Sequence, residues 1–169
     1  MATRLQIQAR YPLGNRNDLC NHLYAQHRRR IYGLCLWMLA DAEAADRLAQ
    51  LVFTRCLRLV RNGLSPSELE TQLDRFLVFH LRSRAAAEPQ AEHGYSMGAR
   101  RTLDYTLPQT SLVEALQTVP PEPRLLLLLH DWLGYAAEKV ADLMGMEAAH
   151  CKKSIFQARL RLRSQLLHR

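Results

Sequence analysis

The sequence predicts an all-α protein built as two small helical domains joined by a flexible linker. Leu, Ala and Arg dominate the composition, Gly is scarce at 7 of 169 residues, and β-branched residues are few, a mixture that favours helix over strand. Apolar side chains recur at i, i+3 and i+4 through most of the chain. Helix start and stop signals punctuate those stripes at short intervals. A hydrophobic fraction of 48% is enough to build real cores, which excludes wholesale disorder.

The first periodic segment runs from about Asp18 to Leu39, with Leu23, His27, Ile31, Leu34, Cys35 and Met38 on one face and Arg28, Arg29 and Arg30 beside it. Asp41 supplies an N-cap for a second helix, striped by Ala45, Leu48, Ala49, Val52, Phe53, Cys56 and Leu57. Asn62-Gly63 stops it, because Gly accepts the left-handed conformation of a helix terminus. Ser65, Pro66 and Glu68 then provide a cap, a proline at the first helical position and a capping-box glutamate. Leu69, Leu73, Phe76, Leu77 and His80 carry that third helix to about Arg84. Three antiparallel helices make the first domain, residues 1–84.

The pattern breaks over residues 85–110, where two prolines and two glycines interrupt any sustained period. A structureless stretch of that length marks a domain boundary. In the second domain, residues 111–169, Ser111 to Glu114 is another capping box opening a short helix to about Thr118. Pro120 to Pro123 restarts the chain into a helix from Arg124 to Leu133, ended by Gly134. A short helix from Ala136 to Met144, a turn at Gly145-Met146 and a long helix from about Ala148 towards Leu167 follow. A short helix, a tight Gly turn and a longer basic helix is the helix-turn-helix pattern.

A net charge of +7 implies a polyanionic partner, nucleic acid or an acidic membrane surface. From Ala148 to Arg169 there are six Lys or Arg residues and no acid. Cys151, Ile155, Ala158, Leu162 and Leu166 occupy one sector of this helix and should face its core. Ala149, Lys153, Phe156, Gln157 and Leu160 lie opposite, flanked by His150, Lys152, Arg159, Arg161 and Arg163. That division suits a recognition helix, with an apolar stripe to fix its pose and polar groups to reach base edges and phosphates. A solvated basic terminal helix is the bland alternative, which the preceding short helix and Gly145 turn disfavour.

Other classes are poorly supported. The four cysteines form no CxxC pair, and Cys35, Cys56 and Cys151 fall on apolar stripes as reduced core thiols. Cys20, His22 and His27 cluster without zinc spacing, and no cofactor is expected. No phosphate loop or GxSxG motif indicates an enzyme. The N-terminus has no apolar signal core, and the longest apolar run, Leu125 to Leu129, cannot span a bilayer, so a cytoplasmic protein without membrane insertion is expected. Trp37 and Trp132 read as core or docking residues.

Residues 115–163 resemble region 4 of the extracytoplasmic-function sigma factors, whose pattern runs ALxxLPxxxR, then GxSxxEIAxxLG, then TVKSRxxRARxxLR. Leu116, Pro120, Arg124, Gly134, Tyr135, Glu138, Val140, Ala141, Gly145, Lys152, Ala158, Arg159, Leu162 and Arg163 carry that likeness. Residues 23–60 resemble the family's region 2 pattern, LYxxHxxxVYxxALRxLGDxxxAEDLxQEVFLRAW, through Leu23, Tyr24, His27, Ile31, Tyr32, Asp41, Leu48, Gln50, Val52, Phe53 and Arg55. The resemblance implies an initiation factor that binds core RNA polymerase and promoter DNA and is controlled by an anti-sigma factor. It implies that His150, Lys152, Lys153, Phe156 and Gln157 contact the −35 element, with Arg161 beside them. Asp46 and Gln50 would face the polymerase clamp.

The sequence departs from the family at defined places. The clamp motif reads Ala45-Asp46-Arg47, and the acid after its Gln is Leu51, so two carboxylates are lost and a cation gained. In the third helix Gln72 stands for a Trp and Phe79 for an Asn among the groups that capture a flipped −10 base. The alternative reading is therefore a sigma-like regulator or adaptor that binds DNA or protein and has lost promoter opening.

Overall fold

The computed structural model describes residues 16–61, 66–87 and 110–167, which fold as seven α-helices with no strand among them. In the first module α1 (Arg16–Leu39), α2 (Ala42–Arg61) and α3 (Pro66–Ala87) pack around the predicted stripes. Leu23, Ile31, Leu34 and Cys35 of α1, Leu48, Val52 and Cys56 of α2, and Leu69, Leu73 and Leu77 of α3 are all buried. The Asp41 cap forms as expected: its Oδ1 accepts from the backbone N–H of Glu43 at 2.9 Å and of Ala44 at 3.1 Å. Between these helices Ala40 adopts φ 51°, a left-handed conformation that favours glycine.

Several boundaries move. Helix α3 continues to Ala87, three residues past the expected Arg84, through the good helix formers Ala85 to Ala87. The Asn62-Gly63 stop, the Ser65 cap, the side chain of Cys20 and residues 88–109 of the expected linker lie outside the described residues.

The second module consists of α4 (Thr110–Thr118), α5 (Pro121–Leu127), α6 (Ala137–Met144) and α7 (Ala148–Leu167). Helix α4 begins at Thr110, so Ser111 lies within its first turn instead of capping it. Helix α5 buries Arg124, Leu125, Leu126 and Leu127 in succession, because it lies against both α7 and α3. The expected helix from Arg124 to Leu133 is not one α-helix. It widens into a π-turn over Leu128–Trp132, closed by Leu133 N–H to Leu128 O at 3.0 Å. Periodicity cannot register one inserted residue of this kind. Gly134, at φ 70°, then turns the chain into α6.

The two modules share one continuous core, and α1 and α3 pack directly on the second module. Trp132 from the π-turn lies on Gly33 of α1, so closely that a Cβ at Gly33 would sit 2.5 Å from the indole Cη2. This explains a glycine in the middle of a 24-residue helix, where it otherwise costs about 1 kcal/mol relative to Ala.

Candidate nucleic-acid interface

Helices α6 and α7 form the helix-turn-helix, and Gly145 makes its turn. Its φ of 64° is left-handed, its N–H donates to Asp142 O at 3.2 Å, and Met146 N–H reaches back to Ala141 O at 3.0 Å. That bond pair is the Schellman termination, so orphan carbonyls of α6 are satisfied where the chain reverses. Helix α7 lies on α4, α5 and α6 through Cys151, Ile155 and Ala158, which are fully buried. The stripe then fades: Leu162 is partly buried and Leu166 is 43% exposed, because α7 outruns the helices beneath it.

The face opposite the stripe is open. Ala149, His150, Lys153, Phe156, Gln157, Leu160 and Arg161 are all exposed, and Phe156 is 59% exposed. Five of the six predicted DNA-contacting residues therefore share one continuous surface of one helix. Lys152 stands at its edge, where Nζ pairs with Glu138 of α6 at 2.7 Å. The hydrogen bond lowers the Glu138 carboxyl pKa and raises that of the Lys152 ammonium. Arg159 is turned further inward, gripping Asp131 of the π-turn with both Nε and Nη2. The same contact holds the Asp131 carboxyl below its ordinary range and lifts the guanidinium above its own. The flanking cations thus divide: Lys152 and Arg159 brace α7 on its module, while Lys153 and Arg161 stand on the outer face.

Asp46 and Gln50 are also exposed, on α2 of the other module, where Gln50 Nε2 donates to Asp46 Oδ2 at 2.7 Å. Beside them Arg47 pairs with Glu43, and Leu51 is 41% exposed. Phe79 on α3 is 61% exposed, its ring edge-to-face with His80. Among the described residues no cluster of three His, Cys, Asp or Glu could hold a metal ion. No described helix is long and apolar enough to cross a membrane.

A cluster at the junction of the modules escaped the sequence analysis. Asp74 of α3, only 4% exposed, accepts from Tyr135 Oη at 2.9 and 3.1 Å and pairs with Lys139 Nζ at 3.0 Å and Arg30 Nη1 at 2.8 Å. Its signal was present in the sequence. Asp74 follows Leu73 and precedes Leu77 by three residues, on the apolar side of the helix, and a carboxylate there requires buried partners.

Comparison with known proteins agrees with this geometry. Residues 109–162, spanning α4 to most of α7, match the family described as Sigma-70, region 4. The fold resembles that of the sigma factor RpoE from Bartonella quintana, solved in complex with the anti-sigma factor NepR. The TM-score is 0.65 and the identity 16%, over 86% of this chain and 95% of that one. No curated protein matches the chain by sequence. Residues 109–162 thus match region 4 of the sigma-70 family, and the chain as a whole shares its fold with a solved sigma factor. Both are likenesses of this chain to sigma factors, in line with the resemblance its sequence bears.

Proposed function

We propose that this chain binds core RNA polymerase and directs it to specific promoters, reading the −35 element with α7. One observation carries the reading: the region 4 match falls on a complete helix-turn-helix whose α7 outer face is unobstructed. On this reading the side chains of His150, Lys153, Phe156 and Gln157 enter the major groove. Arg161 and the edge residue Lys152 meet phosphates, the latter by exchanging Glu138 for a phosphate oxygen. Asp46 and Gln50 meet the polymerase, and the fold shared with a sigma factor solved on its anti-sigma partner supports an anti-sigma factor as a further partner. The protein works without catalysing a reaction, in the cytoplasm where polymerase and promoter are found.

A second reading is favoured by Arg47, Leu51 and Phe79. The clamp-facing surface carries a cation and an exposed leucine where the family has acids, which weakens an electrostatic docking. That reading keeps DNA or protein binding and gives up promoter opening.

Genome-wide transcription in vitro with core polymerase separates the two: defined start sites are expected, and DNA binding without any start site would sink the initiating role. Lys153→Glu should abolish sequence-specific duplex binding, and unchanged binding would exclude α7 as the reader. Two phosphate contacts predict that affinity falls with salt at a log–log slope of about −2.

A further inference from the structure

The outer face of α7 divides lengthwise into two rows of different chemistry. Ala149, Phe156 and Leu160 form one row, at intervals of seven and four residues that return to the same side of a helix. His150, Gln157 and Arg161 repeat those intervals one residue later, so they form a second row about 100° further round the axis. Lys153 lies between the two. All seven residues are exposed, Phe156 at 59% and Leu160 at 50%. The rows cannot change places by rotation of the helix, because Cys151, Ile155 and Ala158 are buried on the opposite side and pin its setting.

A phenylalanine and a leucine one turn apart are unfavourable in water, and a partner that covers them stabilises its complex. The surroundings define that partner. From Ala148 to Arg169 there are six Lys or Arg residues and no acid, so the surface is matched to a polyanion. Duplex DNA is a polyanion whose major groove, about 12 Å wide, admits a helix. A helix lying in that groove turns one flank towards each strand. The apolar group that base edges display there is a methyl at C5 of a pyrimidine, which in unmodified DNA is the thymine methyl. On the other flank the amide of Gln157 suits adenine, its Nε2 donating to N7 and its Oε1 accepting from the N6 amine. Thymine methyl and adenine N6 and N7 are the major-groove edges of one A·T pair. They lie side by side, one on each strand, as Phe156 and Gln157 lie side by side on the two rows.

We propose that the two rows read an A·T pair as a unit, with Phe156 packed on the thymine methyl while Gln157 holds the adenine of the same pair. Leu160 covers a second thymine methyl about 6 Å further along the helix axis. The proposal rests on the function proposed above and gives that site its base preference. The preferred sequence is an A/T step whose thymines lie on the strand facing the apolar row.

The test starts from a pool of random duplexes, from which the full chain selects its own sequences. The tightest is then remade with deoxyuridine for thymidine, which removes the methyls and leaves base pairing and every donor and acceptor in place. Covering one methyl corresponds to about a fourfold change in affinity, so losing two should weaken binding about fifteenfold. Phe156→Ala should lower that thymidine-to-deoxyuridine ratio to about fourfold, and Phe156→Ala with Leu160→Ala should bring it to about one. Both side chains stand at least half exposed and alanine is a good helix former, so these variants keep their fold. Gln157→Ala should keep the ratio and lose the preference for adenine over 7-deazaadenine in the same pair. Equal binding of the parent to both duplexes, or a selected sequence with no A·T step, would overturn the proposal. So would a ratio that survives in the double variant. A double variant that holds the thymidine duplex as tightly as the parent would also overturn it, and would assign the apolar row to a protein. A pool that yields no preferred sequence would instead remove the reading role of α7, and this proposal with it.

Discussion

Arg124 is 6% exposed, and a charge so deep is tolerated only when its donors are saturated. Its guanidinium donates to the carbonyls of Val119, Gln117 and Met38, so one side chain ties the α4–α5 connection to the end of α1. The family pattern marked Arg124 as a matching residue, yet only the fold shows that its partner Met38 lies 86 positions away. His27 follows the opposite logic. It is buried, its Nε2 has no hydrogen-bond partner, and Glu70 lies 3.7 Å off, too far for a bond. Burial, reinforced by the Arg30 charge, pushes the imidazole below its ordinary value of 6.5, although Glu70 and Asp74 pull the other way. The neutral ring is therefore the form the fold prefers. As pH falls below 6.5 the unfolded chain takes up a proton that the folded chain resists, so stability is full above 6.5 and is lost towards the folded value. Each such histidine contributes up to about 1.4 kcal/mol per pH unit in that window. His80 is shifted downward in the same sense by partial burial and the nearby Arg55 and Arg84 charges. Urea midpoints at pH 7.5, 6.5 and 5.5 should drop progressively for the parent and less for His27→Leu; equal drops would clear His27 of the effect.

At the scale of elements, what was legible was whatever periodicity and capping encode. The α2 and α3 stripes, the Asp41 cap, the Gly145 turn and the buried and open faces of α7 all follow from residue type and spacing. The π-turn did not, because its cause is tertiary: it sets Trp132 on Gly33 and Asp131 against Arg159, contacts that no local pattern announces. The end of Leu166's burial was hidden for the same reason, since a stripe does not reveal how far its neighbours extend. Ala40 gives the element scale its prediction. The family pattern has glycine at this corner, and Ala40 holds φ 51° while its N–H donates to Leu36 O at 2.8 Å to finish α1. An L-residue in the left-handed region is strained by roughly 1–2 kcal/mol. Part of that relief is offset by glycine's greater freedom in the unfolded chain. Ala40→Gly should therefore stabilise the protein by about 0.5–1 kcal/mol, read as a higher urea midpoint at unchanged m-value. A lower midpoint would mean that the corner is not strained.

For the whole molecule, the division into two modules was legible but their union was not. Prolines, glycines and a lost period pointed to a boundary, whereas nothing in the order of residues said that Arg30, Asp74, Tyr135 and Lys139 would converge from both sides of it. The candidate DNA face was legible because one helix carries all of it. The Asp74 cluster was illegible because three helices and a turn each bring one group. The thermodynamic consequence of the union can be measured independently of any partner. Buried residues of both modules belong to one continuous core, and Gly33 allows the indole of Trp132 to lie between them. Two units that share a core and cap each other's helix ends should unfold together, as one cooperative transition whose m-value reflects the surface of the whole chain. Gly33→Leu places a branched side chain where even a Cβ would stand 2.5 Å from the indole, so Trp132 must leave its seat on α1. The variant should then show two transitions in urea when followed by circular dichroism, the less stable module melting first with a smaller m-value. The indole fluorescence of Trp132 should shift red before either transition begins, as the ring enters water. A single transition with the parent's m-value would mean that the modules hold together without this contact.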